Sequence, residues 1–322
     1  MKCPKCQTKH SYKSGMTCSC GYQFVFDPKR DQYTDGKFMG LIKATSANNT
    51  YYYTLNQLYG EFCRKNVANP KLRFFFSFLF LAAGLSVIWF FPGVLCLGVF
   101  LLVGSLACFG AAYSVLGNRN ISRDKFDGMF EKWQKKNPDT LQQLIAKPRL
   151  SEPPPEWPEG DLYDYGVERV IIVEHDLFVD MLVLNNLHAD QKALVISESG
   201  YPQYLLPRLE KLMDESPSLP VFLLHDSTQH GQDMENRLVW GNKFWLNGHP
   251  IVDLGLFPKD VQRMSRVKAF QPEKNQHQIP LDYLLYGTLL GGLAVALPQQ
   301  TALGALMEPR PGTDAEGGAS FG

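Results

Sequence analysis

Two groups of residues in this chain have types and spacings that chemistry can use. The first is Cys3-Pro-Lys-Cys6 followed by Cys18-Ser-Cys20, four thiols within the first 20 residues. Zinc takes four soft ligands at tetrahedral corners. Two tight turns, each carrying a cysteine pair, supply them in a segment too short for a core of its own. The first pair has the usual two-residue spacing; the second is one residue shorter, with Gly21 relieving the crowded turn. His10 could replace one cysteine as ligand. The following Tyr22-Gln-Phe-Val-Phe26 reads as an apolar strand that needs a surface to pack on. Residues 1–26 are therefore expected to form a zinc ribbon, with zinc as a structural cofactor.

The second group is acidic. Glu174 ends the apolar run 167–174 (VERVIIVE), and Asp226 ends the run 220–226 (PVFLLHD). In open α/β sheets, ligands bind beyond the carboxyl ends of the strands. If these two strands are neighbours, the carboxylates meet there and can hold a hard divalent cation such as magnesium. His175, His188, His225 and His230 lie close to the same acids in sequence. They read either as metal ligands and acid/base groups or as capping and surface residues. Neighbours on a strand face opposite sides, so His225 need not share the site of Asp226.

The elements that must position these acids follow from periodicity. After residue 161 the chain alternates strands (167–174, 192–198, 220–226) with helices (177–187, 204–215). The strands are continuously apolar, as strands buried on both faces are. Two β-α-β units in tandem predict a Rossmann-like parallel sheet with helices on its faces, over residues 161–275.

The residues that carry these acids resemble a known family. Val-Ile-Ile-Val-Glu174, then Val195-Ile-Ser-Glu-Ser-Gly200-Tyr-Pro202, then Asp226-Ser-Thr-Gln-His-Gly231 are similar to a Toprim domain, closest to that of the A subunit of type VI topoisomerases. Residues 251–261 also look like a later segment of that family. The resemblance covers roughly residues 165–270. It implies magnesium at Glu174 and Asp226 and a ligand-binding loop at Gly200 and Pro202, with Gly231 as the closing glycine. Thr228 stands where the family has a second aspartate, which removes one negative charge and implies weaker magnesium binding. No winged helix with a cleaving tyrosine precedes the domain, so the resemblance does not extend to tyrosine-mediated DNA cleavage.

Ahead of this domain, residues 74–118 run for 45 positions without a charge. One helical crossing of a bilayer takes about 20 apolar residues. This length suits a two-helix transmembrane hairpin over 74–117, turning at Phe91-Pro92-Gly93. Small residues (Ala82, Ala83, Gly84, Gly98, Gly104) allow close packing, and the spans lack the polar side chains of a transport pathway. Arg64, Lys65, Lys71 and Arg73 precede the block; Arg119, Arg123 and Lys125 follow it. Basic flanks favour the cytoplasm, so both soluble regions are expected there. Residues 1–30 lack the apolar core of a signal peptide, which agrees with a cytoplasmic start.

The remaining segments are read as follows. Residues 27–72 are polar and aromatic, with a helix starting near Thr54. Residues 119–150 are helical, and 151–160 form a proline-rich linker. Residues 276–307 form an apolar C-terminal segment that packs on the domain, lies at the membrane surface or enters the membrane; 308–322 form a disordered tail. The 32 basic and 32 acidic residues balance, so no global excess advertises nucleic acid. Cys63, Cys96 and Cys108 are scattered, unlike a secreted disulfide framework.

These readings combine into a multi-pass membrane protein with a cytoplasmic zinc ribbon and a degenerate Toprim-like domain. It is expected to bind or scaffold, with nucleic acid, a phosphate-containing ligand or a protein as partner, rather than to catalyse. The alternative is a divalent-metal-dependent nuclease or phosphoryl-transfer enzyme using Glu174 and Asp226, with a third ligand such as Asp233.

Overall fold

A computed structural model describes residues 1–66, 78–83, 85, 103–106, 122–153, 166–241, 243–263 and 278–306. The chain divides into two compact units, Met1–Phe62 with Arg123–Gly322, and Cys63–Ser122. Most of the expected hairpin, its Pro92-Gly93 turn, the bulk of the proline linker and the C-terminal tail lie outside the described residues. Among the described residues, no helix is long and apolar enough to cross a membrane.

The first unit begins with the cysteine-rich segment, held by isolated antiparallel bridges Lys2–Lys9 and Thr17–Gln23. Helix α1 (Asp35–Thr45) starts where the Thr34 hydroxyl accepts from the Lys37 N–H. Strand β1 (Tyr53–Thr54) leads into α2 (Leu55–Asn66), and the Thr54 hydroxyl accepts from the Gln57 N–H. Helix α3 (Arg123–Lys136) buries Phe126, Met129, Phe130 and Trp133, the helical spacing legible in the sequence. Strand β2 (Leu144–Ile145) then pairs in parallel with β1.

Aromatic residues knit these pieces together. Phe26 stacks on Trp133 with ring centroids 5.9 Å apart and packs on Phe38 at 5.3 Å. Phe126 contacts Tyr59 and Phe62, each at 5.2 Å. The ends of the chain that flank residues 67–121 are thus joined by their own packing.

The α/β layer follows as β3 (Arg169–Val173), α4 (Asp176–Leu184), α5 (Leu187–Asp190), β4 (Ala193–Ser197), α6 (Leu206–Glu215), β5 (Val221–Leu224), α7 (Gln229–Gln232), α8 (Met234–Trp240), β6 (Ile251–Asp253) and α9 (Pro258–Arg263). All four strands are parallel, in the order β4-β3-β5-β6. The three strands read from the sequence are present. A fourth, β6, is added in the segment 251–261. β3 and β5 are neighbours, the condition for Glu174 and Asp226 to meet.

The C-terminal segment is a 14-residue helix, α10 (Tyr286–Gln299), followed by α11 (Leu303–Leu306). Leu289, Leu293, Ala296 and Leu297 of α10 are buried in this unit. Gly60 of α2 lies so close to the Tyr283 carbonyl that an added Cβ would stand 2.6 Å from its oxygen. Only a glycine lets these two backbones approach.

Candidate functional sites: a sulfur tetrad and an acidic sheet edge

Two tight turns bring the four predicted cysteines together. The Sγ atoms of Cys3 and Cys20 are 3.6 Å apart, as are those of Cys6 and Cys18. A tetrahedron built on zinc–sulfur bonds of about 2.3 Å has sulfur–sulfur edges of about 3.8 Å. All four sulfurs lie within 4.8 Å of one another, so the tetrad can bind a metal such as zinc. The Cys20 N–H, by its hydrogen bond, holds the Cys18 thiol down to about 6. At Cys20 the Tyr22 N–H pulls downward, but burial and the neighbouring sulfurs raise the thiol to about 11. Like charges this close resist full ionisation, and a cation removes that resistance. His10 does not join the sulfurs: its Nε2 bonds the Gly15 carbonyl at 2.8 Å and its ring stacks on Phe24.

The cysteine-rich segment is fastened by a residue the sequence did not single out. Asp35, 1% exposed, accepts hydrogen bonds from the Tyr22 hydroxyl (2.8 Å), the Val25 N–H (2.8 Å) and the Phe26 N–H (2.9 Å). A buried carboxylate with three donors turns a loose metal knuckle into part of the aromatic core.

At the carboxyl edge of the sheet, Glu174 follows β3 and Asp226 follows β5. The Asp226 N–H donates to Glu174 Oε2 at 2.8 Å. His175 Nε2 stands 3.1 Å from Asp226 Oδ2 and 3.9 Å from Glu174 Oε1. The Asp226 carboxylate raises His175 to about 9, so the ring is an imidazolium at neutral pH. Asp226 Oδ1 accepts from the Leu281 N–H at 2.7 Å.

A cavity of about 200 Å³ opens on this edge, lined among others by Asn56, Glu174, His175, Asp226 and Asp282. Asp282 is a third acid, brought by the segment before α10. It accepts from the Thr54 hydroxyl (2.9 Å) and from Asn56 Nδ2 (3.1 Å). Burial, with the Asp226 charge behind it, pushes Asp282 up to about 6. No local signal could have found it, because Thr54 and Asp282 are 228 residues apart.

The other expected site residues take structural posts. Gly200 adopts φ +91° in the turn after β4, and Tyr201–Pro202 is a cis peptide. Thr228 caps α7, its hydroxyl accepting from the Gly231 N–H at 3.0 Å. Gly231 sits where a Cβ would collide with the Asp226 carbonyl and stand 2.9 Å from His225 Nδ1. Asp233 is not among the groups gathered with Glu174 and Asp226; its carboxylate accepts from Gln229 Nε2 at 3.0 Å.

The histidines separate in space. Of these four, His175 is the one gathered with both acids. His225 is buried, with Nε2 3.0 Å from Asp253 on β6 and Nδ1 2.7 Å from the Asp226 carbonyl. Both ring nitrogens therefore point at acceptors, which the ring satisfies together only when doubly protonated. His230 lies 3.9 Å from Glu198, itself paired to Arg237 at 2.6 Å. His188 is buried in α5, which leads into β4 at the opposite edge of the sheet.

Compared with known proteins, the chain matches no family model, no curated protein and no solved structure. Its chemistry has to be read from its own geometry.

Proposed function

We propose that this chain is a membrane-anchored binding and scaffolding protein, in which a zinc ribbon and a degenerate Toprim-like domain are held in the cytoplasm at a bilayer. The anchor reading rests on the uncharged block 74–118 and its basic flanks. The described residues of the second unit agree with it: Phe78 is 70% exposed and Leu106 72%, values that water penalises and lipid does not.

The observation that carries binding over turnover is the state of the acidic pair. Three of the four carboxylate oxygens of Glu174 and Asp226 are hydrogen-bonded by the protein, and the fourth faces the His175 imidazolium. His175 Nε2 lies within 3.9 Å of both carboxylates. Magnesium demands oxygen ligands near 2.1 Å in octahedral array, so His175 would have to leave first. Thr228, spent as a helix cap, does not restore the missing acid. Trp240, at the end of α8, is 87% exposed, the kind of side chain that anchors partners.

A second reading, metal-dependent phosphoryl transfer or nuclease activity, draws on one observation. Glu174, His175 and Asp226 offer ligand atoms within 4.8 Å of one another, and Asp282 lines the same cavity. In that reading the cation would stabilise charge on the phosphoryl group.

The two separate in one experiment. Manganese is titrated into the full chain in detergent, followed by its spin resonance, and a phosphodiester substrate is assayed alongside. The scaffold reading expects no site at millimolar manganese beyond one lost with the cysteines. Binding that vanishes in both Glu174→Gln and Asp226→Asn, together with turnover, would replace it by the enzyme.

A further inference from the structure

We propose that the cysteine-rich ribbon carries a lipid-docking face: Lys2, Lys5, Lys9 and Lys13 bind the anionic headgroups of a bilayer. The inference rests on the anchor reading above and adds a second, electrostatic contact to it.

Residues 1–26 contain these four lysines and no acid. All four are exposed. Counting a zinc tetrathiolate as two negative charges leaves the segment at four minus two, a net of plus two. The acids that follow in sequence, Asp27, Asp31 and Asp35, are matched by Lys29, Arg30 and Lys37, so residues 1–37 keep the same net of plus two. Asp27 accepts from the Tyr12 hydroxyl at 3.0 Å, Asp31 pairs with Lys132 at 2.7 Å, and Asp35 is buried under the ribbon.

The arrangement also costs stability. Lys2 and Lys9 are direct partners across an antiparallel bridge, so their side chains leave on one face. Like charges directly opposite destabilise such a pair. An anionic surface converts that cost into attraction.

Phosphate headgroups suit this face better than nucleobases do. Single-stranded nucleic acid is held by exposed rings on which bases stack. Phe24 and Phe26 are buried, the Tyr12 ring carries Lys29 Nζ 5.1 Å from its centroid, and the Tyr22 ring packs against Phe24 at 5.4 Å. What the ribbon offers outward is lysine without aromatic platforms. Near an anionic leaflet each lysine strengthens association about fivefold, and the effect falls off within a Debye length. An anchor in the same chain supplies the high local concentration that makes so short a patch effective.

The test uses the full chain, zinc-loaded, in nanodiscs with and without phosphatidylglycerol. Amine acetylation at each lysine is read by mass spectrometry, with exposed Lys147 as internal control. Docking predicts that Lys2, Lys5, Lys9 and Lys13 react several-fold more slowly on anionic discs and that high salt removes the difference. In the Lys2→Gln/Lys9→Gln double variant, association of the ribbon with the anionic leaflet weakens by a factor of about 25, about fivefold for each charge, and the several-fold protection of Lys5 and Lys13 is lost. Zinc content, measured in the same sample, reports that the variant ribbon is folded.

Equal acetylation on both discs overturns the docking face while leaving the anchor standing, because incorporation into the disc is scored independently. A chain that stays out of both discs sinks the anchor and this inference together. Protection on neutral discs by an added oligonucleotide, without any effect of phosphatidylglycerol, overturns the lipid in favour of nucleic acid.

Discussion

Asp35 offers the sharpest test of how the ribbon is built into the protein. Its carboxylate receives one hydroxyl and two backbone N–H donors, at 2.8, 2.8 and 2.9 Å. Hydrogen bonds to a charged group contribute about 1.5–3 kcal/mol each, and a buried donor left bare costs about 1–3 kcal/mol. The three are not additive. Asp35→Ala removes all of them at once and strands the Phe26 N–H in the core. The expected loss is about 3–5 kcal/mol, the range for a broken buried charge network. In a unit of this size that lowers the melting midpoint by about 6–20 °C. Because Tyr22 follows Cys20 by two residues, the same change loosens the sulfur tetrad. Zinc release to a colorimetric chelator should therefore accelerate in step with the melt. Asp35→Asn keeps one acceptor oxygen and should fall between the parent and the alanine variant. A midpoint within about 2 °C of the parent, less than 1 kcal/mol, would refute the argument, as would a full melt shift with unchanged zinc release.

Three further outcomes follow from the geometry. Gly231→Ala places a Cβ against the Asp226 carbonyl, His225 and Glu174, so overpacking should cost about 1–3 kcal/mol in a urea melt and disorder the acidic pair. His175, raised to about 9 by Asp226, should show a ring-proton titration midpoint near that value by NMR. The stabilisation from this pair is fully present below the unfolded histidine value of about 6.5 and is lost as pH rises through about 9; in Asp226→Asn the midpoint should fall toward 6.5, and no fall would dismiss the pairing. Replacing residues 67–120 by a short Gly-Ser linker should leave the first unit folded, since Arg123 bonds Asn56 at 2.8 Å and Phe126 packs on Tyr59 and Phe62. Loss of cooperative melting in that variant would show that the block is needed for the first unit to fold.

What the sequence determined about this protein is what local rules govern. Cysteine spacing placed four sulfurs in one tetrad because a tight turn has few geometries. Three strands could be read because a strand buried on both faces is continuously apolar, and their acids fell at its carboxyl edge because each acid ends its strand. The uncharged run 74–118 is likewise a property of consecutive residues. Tertiary structure decided the rest. Strand order put β3 against β5 and so made two separate acids a pair. It chose His175 to face them and turned His225 toward Asp253, a choice adjacency in sequence could not make. It brought Asn56 and Asp282 to one cavity, and the Thr54 hydroxyl to Asp282, from more than 220 positions apart. It also sank Asp35 beneath the ribbon, where a charged residue read alone suggests only a solvated surface. Periodicity reports which face of an element is buried; which elements share that burial is settled by packing among segments distant in the chain.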